Sequence, residues 1–141
     1  MQYTTSEYKR ELHDIYKALS VKQPYAGYIS TGEKTIEVRS KPTKFRGKLV
    51  ICASKDGKPE ENTPGYGCTL ALVELYDCKP LSELTNKDWE KTKIPKEQIE
   101  ELKQSKGFGL FLRNPKPINQ VSIKGQLGIF NLVLTKGSIN Q

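Results

Sequence analysis

Every apolar run in this chain is short, and each stops at a glycine, a proline or a cluster of charges. The longest, Cys-Thr-Leu-Ala-Leu-Val-Glu-Leu-Tyr over residues 68–76, has the length of one central strand. It falls far short of the roughly 20 apolar residues that cross a bilayer. Between the runs the period changes twice. Pro24 stands at the favoured first position of a helix and Gly32 at the place of a left-handed cap, with Ala26, Ile29, Tyr25 and Tyr28 giving an apolar face. From Thr35 the period is two: Ile36 and Val38 alternate with Thr35, Glu37 and Arg39, which predicts a half-buried strand with Ile36 and Val38 in the core. Further strands are expected at 18–21, 47–53, 107–113, 118–123 and 126–134, and short helices at 86–92 and 95–103. A weak helical pattern covers 6–15, and the Gly-, Pro- and charge-rich stretches 41–46 and 55–66 read as a turn and a loop. The fold class is therefore mainly β with short helices (α+β), arranged as a small barrel or a strongly bent sheet.

A chain of 141 residues suits one domain, and 35% hydrophobic residues supply its core without disulfides or metal. Three cysteines (Cys52, Cys68, Cys78), no Cys-x-x-Cys and the single His13 argue against a disulfide framework and against a zinc site. The start is polar and carries Glu7, unlike a secretory signal, so a cytoplasmic protein with free thiols is expected. No cofactor is implied.

The formal net charge is +7, and it is regional. Residues 34–58 hold Lys34, Arg39, Lys41, Lys44, Arg46, Lys48, Lys55 and Lys58, while beyond residue 103 come Lys106, Arg113, Lys116, Lys124 and Lys136 with no acid at all. If the fold joins the two segments they form one positive face, which attracts phosphates. On this reading Lys44, Arg46, Lys48 and Lys124 are phosphate contacts; the alternative is a charge that serves solubility.

Within the first basic segment, Gly32-Glu-Lys-Thr-Ile-Glu-Val-Arg39 is the cluster able to carry chemistry. A carboxylate (Glu37) flanked by Lys34 and Arg39 stays ionised, holds both cations in place and leaves them donors for a phosphate or a base edge. A solvated strand face with self-neutralising charges fits the spacing equally well. Tyr25 is placed to stack on a base or to pack, Trp89 reads as a core anchor, and Cys52 as a buried, inert thiol.

Leu19-Ser-Val-Lys-Gln-Pro-Tyr-Ala26 followed by the G-x-K-x-x-E-x-R run resembles the ASCH domain signature, as do Arg46-Gly47 before a strand ending Ala53-Ser54, and the closing Val121-Ser-Ile-Lys-Gly-Gln-Leu-Gly-Ile-Phe130. The resemblance implies a PUA-like small β-barrel over residues 17–136 behind an N-terminal extension, 1–16, with a cleft beside Gly32–Arg39. It implies Lys34, Glu37 and Arg39 as the motif's polar positions, with Gln23 close by, and RNA or a nucleotide as partner. Relatives that deacetylate N4-acetylcytidine carry a threonine where this chain has Glu37, and the family often has Trp and His where it has Lys41 and Cys52. An RNA- or nucleotide-binding module is the leading expectation. The alternative is a hydrolase on RNA or a modified nucleoside, with Lys34 as nucleophile or base, or with Glu37 as base and Lys34 and Arg39 holding the developing charge. A protein-interaction domain is the third.

Overall fold

The computed structural model describes residues 12–57 and 65–140. Six strands form one sheet in the order β2-β5-β4-β3-β1-β6. They are β1 (His13–Gln23), β2 (Ile36–Arg39), β3 (Gly47–Gly57), β4 (Cys68–Pro80), β5 (Phe108–Pro117) and β6 (Ile129–Thr135). Among the described residues, the short α-helices α1 (Tyr25–Thr31), α2 (Asn86–Glu90) and α3 (Lys96–Lys103) and a 3-10 turn, Leu81–Glu83, interrupt them. The mainly β class with short helices is thus observed. No ladder joins β2 to β6 among the described residues, so of the small barrel or strongly bent sheet that was expected, hydrogen bonds show the sheet and no closure. The reason lies in β2, which has four residues and pairs with β5 alone. Register shifts in β3 and β4 take up strand curvature within the sheet instead.

β1 and β3 run parallel, Ala18 opposite Val50 and Leu19 opposite Ile51. Where they pair, Ala18–Val21 and Val50–Ala53, both are covered on two faces, which fits the mostly apolar sequence of these stretches. Leu19, Val21, Leu49, Ile51 and Ala53 pack with Ala26 and Ile29 of α1. Ala18, Val50 and Cys52 pack on the other side with Phe130, Leu132, Leu134 and Ile139. Each fully buried aliphatic side chain contributes about 1.5–3 kcal/mol.

Helix α1 ends as the sequence predicts. Gly32 adopts φ 85°, and its N–H donates to Ile29 O at 3.1 Å. A side chain there would be strained by the left-handed backbone itself. Trp89 is 3% exposed, in line with a core anchor. Around it, Thr85 and Asp88 form a reciprocal capping box that starts α2.

Three local expectations are corrected. Residues 13–15 belong to β1 and pair with 133–135 of β6, where a helix was expected; Leu12 is helical, and residues 6–11 lie outside the described residues. Residues 118–123 form no regular strand. The buried Thr69 hydroxyl donates to Asn119 O and accepts from Val121 N–H, and beside these the backbone bonds of Thr69 N–H to Val121 O and Ile123 N–H to Gly67 O make one isolated bridge, Cys68–Ser122. Third, Val38 is half-buried and lines the cleft instead of filling the core, because no strand lies beyond the edge strand β2. No helix among the described residues is long and apolar enough to cross a membrane.

Candidate nucleic-acid cleft

A cleft of about 760 Å³ opens where the C-terminal ends of β1 and β3 meet β2, α3 and the segment before β6. Its floor is the ion triad the sequence singles out. The strand that carries it is fixed from outside the sheet: Thr35 N–H and Ile36 N–H both donate to Lys91 O, at 3.0 and 3.3 Å, at the end of α2. Lys34 N–H donates to Tyr28 O of α1 at 3.0 Å. These bonds turn the Lys34 side chain inward.

Lys34 is 2% exposed. Its Nζ donates to Ile36 O at 2.8 Å and Thr92 O at 2.6 Å, and lies 3.3 Å from Glu37 Oε1. All three ammonium donors are therefore engaged, and the nitrogen stands 5.0 Å from the centre of the Tyr25 ring. Burial pulls the Lys34 pKa below the ordinary lysine value, and Glu37 opposes that by favouring the charged form. A neutral amine would leave one of the three acceptors without a donor, so the geometry is that of an ammonium.

Glu37 is 8% exposed and holds both cations. Its Oε2 accepts from Arg39 Nε at 3.0 Å, and Arg39 Nη2 is 2.9 Å from the same oxygen. Nη2 also donates to Ser20 O at 2.7 Å, tying β2 to β1. Among the described residues no protein acceptor is bonded to Arg39 Nη1, so Arg39 retains donors that Lys34 does not. The expectation of spare donors on both cations is thereby narrowed to Arg39.

The structure brings Tyr25, Lys34, Glu37, Arg39 and Lys124 together on the lining of the cleft. Gln23 sits behind it, 3% exposed, its amide nitrogen donating to Gly65 O at 3.2 Å and its carbonyl oxygen accepting from Gly27 N–H at 2.9 Å. Lys44, Arg46 and Lys48 are exposed and are not part of the lining. Arg46 turns back on its own loop, donating to Thr43 O and Phe45 O. Lys22 and Lys55 line the cleft with Lys124, so the two basic segments do meet there. The clue to Lys22 and Lys55 was the strand end: each lies close to the C-terminal end of an apolar run, where a side chain leaves the sheet. The wall made by Ile94, Leu102 and Leu127 carried no such signal, since it comes from a helix, a loop and a turn distant in sequence. Among the described residues no cluster of His, Cys, Asp or Glu could hold a metal ion.

Fold and site together define a small β-sheet domain with a basic cleft whose floor is an ion triad of two cations on one buried carboxylate. The ASCH domain family model matches residues 19–122, most of the chain, and the protein belongs to that family. Among solved structures, ASCH from Zymomonas mobilis is similar, with a TM-score of 0.63 at 15% identity over 86% of this chain and 89% of that one. Two single-substitution variants of the Zymomonas mobilis protein align with TM-scores of 0.62, at 15% and 16% identity, covering 86% of this chain and 89% and 91% of theirs. No curated protein matches the chain.

Proposed function

We propose that the cleft binds single-stranded RNA or a nucleotide. The supporting observation is the combination at one site of a rim of three lysines (Lys22, Lys55, Lys124) and a floor where Glu37 offers acceptors beside the unused Arg39 donors. Phosphates meet the rim, and a base edge with an adjacent donor and acceptor meets Glu37 and Arg39. Tyr25 supplies the aromatic surface nearby. The sheet, open between β2 and β6, is read as a PUA-like barrel left unclosed, with its opening side forming the cleft.

Binding ranks above hydrolysis because of Lys34. A nucleophilic amine needs a lone pair facing the substrate, and here the nitrogen is enclosed by two carbonyls and a carboxylate. One observation keeps a hydrolytic variant as the second reading: burial depresses the Lys34 pKa, the direction that catalysis by a lysine requires.

The test compares two triple variants in titrations with single-stranded RNA at several salt concentrations. Lys22, Lys55 and Lys124 changed to alanine should lower affinity and flatten the salt slope by about two units. The same change at Lys44, Arg46 and Lys48 should have the smaller effect. Equal effects of the two triples would remove the cleft from the interface.

A further inference from the structure

Residues 124–128 run between two anchors. Ile123 N–H donates to Gly67 O at 3.0 Å, and Ile129 pairs with Leu19 at the start of β6. Between them no backbone hydrogen bond is formed among the described residues. The segment carries Lys124 of the rim and Leu127, which is 99% exposed although it borders the cleft. Ile94 and Leu102 belong to the same lining. A leucine left wholly in water beside an apolar wall is unfavourably placed. Gly128, at φ +66°, has open space around its missing side chain and can act as a pivot.

The other end of the segment sits on a second unfavourable group. A Cβ on Gly125 would lie 2.7 Å from Ser20 Oγ, so the glycine lies directly over that hydroxyl. Ser20 Oγ is buried and has no hydrogen-bond partner. Ser20 borders the cleft, and its own carbonyl accepts from Arg39. A buried hydroxyl without a partner costs its desolvation energy. The arrangement thus keeps one apolar group wet on this five-residue turn and one polar group dry beneath it.

We propose that residues 124–128 are a lid that closes over an unpaired nucleotide, carrying Leu127 onto the ligand and the Ile94–Leu102 wall while Gly125 leaves Ser20 Oγ free to bond the ligand. This rests on the ligand-binding reading above and adds two contacts to it. The ligand is an unpaired nucleotide because a cleft with a buried floor and an overhead leucine admits one base and its phosphates, whereas a duplex keeps its base edges paired.

Limited trypsin digestion, read by mass spectrometry at the Lys124–Gly125 bond, reports the lid directly. A mixed-sequence single-stranded hexaribonucleotide should slow that cleavage in the wild type, and Leu127→Ser should weaken its binding about tenfold without lowering the unfolding temperature. Gly125→Ala should speed the cleavage without RNA, because its methyl group meets Ser20 Oγ. Adding Ser20→Ala should reverse this, since Ser20 Cβ lies at an ordinary 3.6 Å. Failure of the wild type to bind RNA would sink the ligand reading and the lid with it. Binding with unchanged cleavage at Lys124 and full affinity in Leu127→Ser would overturn the lid alone.

Discussion

Lys34 Nζ and Glu37 Oε1 are 3.3 Å apart at the bottom of the cleft, with 1% and 11% of their side chains exposed. At this depth the pair is part of the fold as well as of the site. Deleting one partner strands the other charge. From strand alternation alone, Glu37→Gln would be a cheap isostere; its burial between Lys34 and Arg39 makes it expensive. Glu37→Gln should destabilise by about 3 kcal/mol, read as a shift of the urea midpoint with unchanged m-value. A loss below about 1 kcal/mol would show that the triad behaves as a surface pair.

Lys34→Met tests whether the triad exists for binding or for chemistry. Methionine fills the same space but leaves Ile36 O and Thr92 O without their donor. Stability should fall by about 2–4 kcal/mol. RNA affinity should fall only as far as the floor is disturbed, because Lys34 has no donor left for a ligand. Release of acetate from N4-acetylcytidine by the wild type, abolished in Lys34→Met, would instead make the protein a hydrolase.

Arg39→Lys retains the charge and removes the fork. The guanidinium reaches Glu37 Oε2 through Nε and Ser20 O through Nη2 at once, which one ammonium cannot match while also presenting donors to a base. RNA binding should weaken about tenfold, near 1.4 kcal/mol. Isothermal titration checks this, and unchanged affinity would place Arg39 in a purely structural role.

Burial pushes the Cys52 thiol from 9.0 up to about 12. A folded-state pKa above the unfolded one gives a contribution fully present below pH 9.0 and lost progressively as pH rises towards 12. Urea unfolding between those limits should show stability falling with pH, with a shallower fall in Cys52→Ala. Cys52 should also resist thiol reagents at pH 8 until the protein unfolds. Rapid labelling of folded protein would contradict its burial.

The sequence by itself determined most of the local elements and the family. Pro24 and Gly32 bound α1 because one fixes φ and the other accepts a left-handed cap, and both effects act within a few residues. The alternation at Ile36–Arg39 marked a strand, and the run of motif positions around it marked the ASCH relationship. Tertiary structure decided what those residues do. Lys34 is buried because the carbonyls of Ile36 and Thr92 close on its ammonium, and the second lies 58 positions away. Val38 lines the cleft because β2 is an edge strand, a property of sheet order and not of alternation. Residues 118–123 are held by an isolated bridge and by Thr69 hydroxyl bonds from 50 and 52 positions away, where a regular strand was expected. The lysines of the rim came from separate segments whose meeting depends on β1 and β3 lying side by side and parallel. Charge and periodicity are written along the chain, whereas burial, enclosure and the free donor on Arg39 arise only when distant backbone groups meet.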